Sequence, residues 1–265
     1  MLNETMKKIE NGKFFLIAGP CVIETEDICT EVAEKVNKLC TERDIPFVFK
    51  SSFKKANRLS VDSYTGPGLE DGLKVLQNIK NKFNLPILTD VHETNEIKKT
   101  AQVADILQIP AFLCRQTDLV IAAAQTGKWV NIKKGQFLAP EDMAKIAAKT
   151  NSQKTMLTER GSSFGYRNLI VDFRSFIIMK ETGLKVIYDV SHSLQLPGGG
   201  GNVSTGQPQY IIPMAKAAMA IGLDGLFVET HPNPSQAKSD AEAMLPLDKM
   251  EPLLDEILKI QKANS

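Results

Sequence analysis

Eight short runs of apolar and β-branched residues, set apart by amphipathic stretches, constrain the fold of this 265-residue chain more than any other feature. They cover Phe14–Ala18, Phe47–Lys50, Ile87–Val91, Ile106–Ile109, Trp129–Lys133, Thr155–Thr158, Val186–Asp189 and Leu226–Glu229. Between them, Glu26–Cys40, Leu69–Phe83, Pro140–Lys149 and Ile211–Ile221 space their apolar residues as a helix does, and Leu247–Ile260 would seal the end. Strands alternating with helices point to a parallel sheet, and eight of them favour a closed barrel over an open, Rossmann-type sheet. The expected class is α/β, a (β/α)₈ TIM barrel. It is expected as one domain over residues 1–265, a common size for this barrel, with 1–13 as a short lead-in.

Composition removes several kinds of partner. Hydrophobic residues make up 43% and charged residues 24%, ordinary for a soluble globular protein. The net charge is +1, from 32 Lys plus Arg against 31 Asp plus Glu, with no block of like charge. Neither nucleic acid nor a membrane surface is therefore expected, and the cations must gather locally to meet a small anion. No run approaches the roughly 20 apolar residues of a membrane span, and the N-terminal apolar stretch is too short for a secretion signal. Cys21, Cys29, Cys40 and Cys114 lack the density and spacing of a disulfide framework, which fits a reducing cytoplasm.

In a barrel of this kind the C-terminal ends of the strands and the loops beyond them build the active site. Those positions hold Cys21, Lys50, Lys55, Asp90, His92, Gln108, Lys133, Lys134, Glu159, Arg160, Asp189, His192, Glu229 and His231. All three histidines of the chain are among them. Lys50, Lys55, Arg58, Lys133 and Arg160 would converge on one mouth, as a pocket for phosphate and carboxylate groups requires. No Walker or GxGxxG signature is present, so a small phosphorylated metabolite is a better candidate than a nucleotide.

Cys21, His192, Glu229 and Asp240 could supply one sulfur, one nitrogen and carboxylate oxygens to a divalent ion such as Fe²⁺, Mn²⁺ or Zn²⁺. The alternative for Cys21 is a small buried hydrophobe. Glu229 and His231 are two apart and point the same way in an extended strand. His231 is the better-known ligand type, yet it can equally serve as a donor to a ligating carboxylate. The stretch Leu196–Gln209, LPGGGGNVSTGQPQ, resists a fixed backbone. Its place after the seventh strand suits a lid, and a plain surface insertion is the other reading.

The segments LIAGPCVIE, FVFKSSFKKANR, GPGLEDGL, LQIPAFLCRQTDL, NIKKGQFLAP, LTERGSSFGYRNLIVDFR, YDVSHSLQLPGG and FVETHPNPSQAKSDA together run nearly end to end. In these the chain resembles the 3-deoxy-D-manno-octulosonate 8-phosphate synthase family. The related heptulosonate phosphate synthases typically carry a KPRTS-like run where this chain has KANRLS, which favours the octulosonate branch. The resemblance implies condensation of phosphoenolpyruvate with D-arabinose 5-phosphate and water, giving the eight-carbon acid phosphate and orthophosphate for lipopolysaccharide sugar synthesis. It implies that Lys50, Lys55, Gln108, Lys133 and Arg160 hold phosphoenolpyruvate. Asn57 and Arg58 would hold the aldose phosphate, with Asp90 and Arg115 lining its path. Lys55, Lys133, His192 and Cys21 would carry the catalysis. Cys in the GPC motif places the chain with the metal-dependent members, with Cys21, His192, Glu229 and Asp240 as ligands. The ion would polarise the aldose carbonyl or lower the pKa of a bound water. The resemblance also implies a homotetramer.

The chain departs from the family's pattern around the aldose phosphate. It reads FKKANRLSVDSYTG, with Lys54 for Asp, Leu59 for Ser, Asp62 for His and Thr65 for Arg, and its glycine-rich loop lacks the usual Arg. Two other readings therefore stand beside the first: a synthase using another aldose phosphate such as erythrose 4-phosphate, and a non-catalytic barrel that senses phosphoenolpyruvate.

Overall fold

The computed structural model describes residues 4–58, 60–197 and 205–264. Leu59 and residues 198–204, the middle of the candidate lid, lie outside them.

Eight parallel strands close into a barrel: β1 (Phe15–Gly19), β2 (Phe47–Lys50), β3 (Ile87–Asp90), β4 (Ile106–Ile109), β5 (Trp129–Lys133), β6 (Thr155–Glu159), β7 (Lys185–Asp189) and β8 (Gly225–His231). Closure comes from β8 pairing with β1, from Phe15 opposite Gly225 to Gly19 opposite Glu229. Each predicted run coincides with a strand to within one residue at either end, except that β8 extends on to His231.

Strand residues alternate between two apolar layers, as the pleat requires. Leu16, Phe47, Phe49, Leu107, Val130, Leu157 and Val186 face outward under the helices. Phe15, Ile17, Val48, Leu88, Ile106, Trp129, Met156, Ile187 and Phe227 fill the interior. Helices α2 (Glu26–Glu42), α3 (Leu69–Phe83), α4 (Thr94–Val103), α5 (Thr117–Gln125), α6 (Asp142–Ala148), α7 (Arg174–Lys180), α8 (Ile211–Ile221) and α9 (Met250–Ala263) follow the strands in turn. The eight strand-helix alternations read from the sequence are thus all present.

The lead-in is more than a tail. Its residues Glu4–Glu10 form helix α1, which buries Met6 and Ile9 in the interior cluster beside Phe15 and Trp129. Lys8 and Lys13 both bridge to Asp44 at the end of α2, tying α1 to the outer ring. The N-terminal end of the barrel is therefore plugged.

Moving two residues along each strand toward the C-terminal end changes the interior from apolar to polar. Val48 gives way to Lys50, Leu88 to Asp90, Ile106 to Gln108, Ile187 to Asp189 and Phe227 to Glu229. On β5 the inward sequence is Trp129, Asn131, Lys133, and on β6 it is Met156, Thr158, Arg160. A set of charges this deeply buried requires partners, because each is costly to bring out of water alone.

Candidate active site

The C-terminal mouth holds a cleft of about 620 Å³. Its wall contains Cys21, Lys50, Lys55, Asn57, Arg58, Asp90, Gln108, Lys133, Arg160, His192, Glu229 and Asp240, so the structure brings together every candidate site residue except Arg115. Arg115, two residues beyond the Ala111–Leu113 turn, is exposed and not part of the wall, and its carbonyl accepts from Lys149. Lys54 lies on the wall, with its ammonium 3.4 Å from Glu93. Asp62 and Thr65 are exposed and are not part of the wall.

Cys21 is placed by the close approach of two strand ends. A Cβ on Gly19 would collide with the Lys50 carbonyl, so glycine is required where β1 meets β2. Pairing continues beyond both strands: Ser52 N–H donates to the Cys21 carbonyl at 3.3 Å and Ile23 N–H to the Ser52 carbonyl at 3.0 Å. Lys50 adds a bond of 2.8 Å from Nζ to the same Cys21 carbonyl.

Around Cys21 the side chains that could ligate an ion meet. Cys21, His192, Glu229 and Asp240 each bring one atom to a cluster whose members lie within 4.8 Å of one another. Cys21 Sγ is 3.3 Å from Asp240 Oδ2, and His192 Nε2 is 3.5 Å from Glu229 Oε2 and 3.8 Å from Asp240 Oδ2. Glu229 Oε2 is buried and makes no hydrogen bond, while Oε1 accepts from Lys50 at 2.7 Å. A buried carboxylate oxygen without a donor, facing an imidazole nitrogen and a thiol, fits a divalent transition ion.

The orientation of His192 has its own support. Asp189 Oδ2 is 2.7 Å from His192 Nδ1, which leaves Nε2 turned toward the cluster, and the His192 N–H donates to Asp189 Oδ1 at 2.9 Å. The same Oδ2 lies 2.5 Å from Lys133 Nζ, which in turn sits 4.2 Å above the Phe227 ring. A carboxylate behind a ligating histidine fixes both its tautomer and its aim.

A second network crosses the floor. Thr158 donates to Asn131 Oδ1 at 2.7 Å, and Asn131 donates to Gln108 Oε1 at 2.8 Å. Gln108 donates to Asp90 Oδ1 at 2.8 Å, and Ser52 donates to Asp90 Oδ2 at 2.5 Å. All the donors in this belt point toward Asp90. Burial would raise the Asp90 carboxyl, but Lys50 and Lys133 outweigh it and lower it to about 2. Arg160 completes the mouth. Its Nη2 donates to Gln195 at 3.0 Å, and its buried Nη1 makes no hydrogen bond among the described residues.

Burial opposes all these charges, and their neighbours decide the result. Asp240 would be raised by burial, yet Lys55 and His192 hold it well below the usual carboxylate range. Glu229 is likewise lowered, with burial opposed by His192 and Lys50. Burial pulls Lys50 and Lys55 down, but Glu229 and Asp240 respectively lead the charges that keep them protonated. Cys21 differs: burial, then the Glu229 charge, push its thiol far up.

Reading the sequence missed Asp189, Asn131, Thr158 and Phe227 as supports of this site. Asp189 was visible only as a rim residue, whereas Asn131 and Thr158 are polar residues inside strand runs, a signal that could have been followed. His231 is not in the ligand cluster. Its Nδ1 accepts from Asn233 N–H at 3.0 Å, and Nε2 faces Glu24 at 3.7 Å rather than a ligand-type carboxylate.

Residues 2–263 match the model of the DAHP synthetase I family. The chain is 54% identical over 253 residues to a 2-dehydro-3-deoxyphosphooctonate aldolase of Fusobacterium nucleatum, covering 94% of this chain and 91% of that protein. It is 52% identical over 253 residues to a protein of the same name from a Cyanothece strain, covering 94% and 93%. A Legionella pneumophila protein, again of that name, is 52% identical over 246 residues, covering 92% and 90%. Fold, cleft and sequence agree that the chain belongs to the DAHP synthetase I family, alongside the 2-dehydro-3-deoxyphosphooctonate aldolases.

Proposed function

We propose that this chain condenses phosphoenolpyruvate with D-arabinose 5-phosphate and water, forming 3-deoxy-D-manno-octulosonate 8-phosphate and orthophosphate. One observation carries the reading: a cluster of buried Cys21 and Glu229 with half-buried His192 and Asp240 lies in a cleft wall that also presents Lys50, Lys55, Arg58, Lys133 and Arg160. The relatives cited above all carry the octulosonate name, which disfavours a four-carbon acceptor.

Two phosphorylated anions repel each other, and this set of cations offsets that repulsion and fixes their register. Lys50, Lys55, Gln108, Lys133 and Arg160 are the proposed phosphoenolpyruvate side. Arg160 suits that role because its buried Nη1 has no partner among the described residues. Asn57 and Arg58 take the aldose phosphate at the more open rim, and Asp90 faces the sugar. Arg115 lies outside this chain's cleft and is not assigned to the aldose path. Carbon three of the enol attacks the aldehyde while water adds to carbon two. The hemiketal phosphate then expels orthophosphate.

Cys21, His192, Glu229 and Asp240 would hold a divalent ion, Fe²⁺, Mn²⁺ or Zn²⁺, which supplies Lewis-acid polarisation of the aldehyde or a more acidic water when bound. Lys55 and Lys133 border the cluster and hold the reacting groups beside it. The barrel acts as a single domain over residues 1–265, in the cytoplasm. Among the described residues no helix is long and apolar enough to cross a membrane. Assembly into a homotetramer is proposed from the resemblance, and exposed Phe137 and Phe164 are apolar side chains that a partner could cover.

The test is orthophosphate release from phosphoenolpyruvate across a panel of aldose phosphates, on protein whose metal content has been measured. Preferred turnover with arabinose 5-phosphate is expected. Preference for erythrose 4-phosphate would replace the acceptor, and no turnover with any aldose would leave a binding protein.

A further inference from the structure

Two of the loops that carry ligand-type residues are joined by a single carboxylate. Glu24 follows Cys21 by three residues on the loop after β1. Its Oε1 accepts a hydrogen bond of 3.0 Å from the backbone N–H of Lys238, two residues before Asp240. The Glu24 side chain is only 6% exposed, and buried His231 faces the same oxygen at 3.7 Å. Glu24 therefore sits where the chain leaving β1 passes the chain leaving β8.

Asp240 needs such support. Its φ is +49°, in the left-handed region that a residue with a Cβ adopts only when its surroundings impose it. On its C-terminal side the Ala243 N–H bonds the Asp240 carbonyl at 2.9 Å. Gly206 packs there too, so closely that a Cβ would stand 2.5 Å from the Glu242 carbonyl oxygen. On its N-terminal side two polar ties reach the β1 loop, the Glu24–Lys238 bond and the Ser239 hydroxyl 3.5 Å from Cys21 Sγ, and the first is the one made by a charged acceptor.

We infer that Glu24 is a positioning residue of the metal site: it fixes the distance between Cys21 and Asp240 without touching either. The inference rests on the reading of Cys21, His192, Glu229 and Asp240 as ligands. Without the tie, the turn before Asp240 can relax from its left-handed conformation. The carboxylate then leaves the cluster while the barrel, whose strands do not depend on Glu24, stays closed.

The test is titration of the chelator-stripped, full-length protein with Mn²⁺, following the free ion by electron paramagnetic resonance. Wild type should bind Mn²⁺ and Cys21→Ala should lose that binding. Removing an outer support commonly costs 10- to 100-fold in affinity, so Glu24→Ala should weaken Mn²⁺ binding about tenfold or more. Glu24→Gln keeps an acceptor oxygen and should stay within about threefold, since a neutral acceptor is only moderately weaker. Lys238→Pro deletes the donor from the opposite loop and should reproduce Glu24→Ala. Ala237, at φ −66° and ψ 139°, already has the conformation that precedes proline. Lys238→Ala retains the N–H and should bind as wild type does. Wild type that binds no Mn²⁺ overturns the ligand reading together with this inference. Wild-type affinity in Glu24→Ala overturns the inference alone. If circular dichroism shows Glu24→Ala unfolded, equal affinities in Lys238→Pro and Lys238→Ala overturn it instead.

Discussion

Asp189 and His192 face each other across 2.7 Å, Oδ2 to Nδ1, on consecutive turns of chain at the end of β7. Because Asp189 is fully buried, its charge is answered at close range by His192 and by Lys133. Replacing Asp189 by Asn keeps the shape but removes the charge that fixes the imidazole. Bound metal should fall by about 10- to 100-fold in affinity. Metal titration of Asp189→Asn against wild type checks this, and equal affinities would leave Asp189 with a purely structural role.

Glu229 and His231 should separate cleanly by metal content. Glu229 offers an unbonded buried oxygen to the cluster, whereas His231 is turned toward Glu24. Glu229→Ala should purify with little metal, and His231→Ala should keep most of it. A strong chelator should abolish turnover in the wild type, with recovery on adding Mn²⁺ or Fe²⁺. Measuring metal in both variants decides the ligand assignment, and the reverse order would refute it.

Lys133→Ala and Arg160→Ala should both impair use of phosphoenolpyruvate. Loss of one charged hydrogen-bond partner costs about 1.5–3 kcal/mol, roughly one to two orders of magnitude in kcat/KM. Their stabilities should differ. Among the described residues the Arg160 guanidinium hydrogen-bonds to the neutral Gln195 side chain, but Lys133 is paired with buried Asp189. Breaking a buried pair typically costs about 3–5 kcal/mol, and the remaining His192 places Lys133→Ala toward the lower end. Thermal melts should show a lower Tm for Lys133→Ala and a near-native one for Arg160→Ala.

Ile9→Ala should destabilise the barrel by about 2–5 kcal/mol, the usual cost of such a truncation in a packed core. Ile9 is wholly buried among the interior residues at the end remote from the cleft. Its effect should appear in Tm or in the denaturant midpoint while KM for both substrates stays near wild type. An unchanged midpoint would show that α1 is a dispensable cover.

The strands were legible because apolar and β-branched residues leave short runs wherever both faces of a sheet are buried. Helix α1 was not, since seven residues with Met6 and Ile9 as buried anchors give too little periodicity to stand out. The mouth cations could be placed by position alone, because strand ends in such a barrel share one rim. The ligand cluster was harder. Its members come from the β1 loop, the β7 loop, β8 itself and a turn nine residues beyond β8, so no spacing within the sequence connects them. Residue chemistry could offer that set, with a small buried hydrophobe as the other reading of Cys21, and the resemblance favoured it. Pairing of Glu24 with the Lys238 backbone involves a donor every residue except proline possesses, and side-chain identities carry no trace of it.

Helix α1 closes one end of this vessel, and the cleft opens at the other. Lys133 and Arg160 lie deep, while Asn57 and Arg58 sit at the lip, so a molecule seated at the lip closes the way to the floor. Traffic through a cul-de-sac forms a queue. The reactant that rests deepest enters first, and initial-rate patterns with the two substrates should be ordered rather than random.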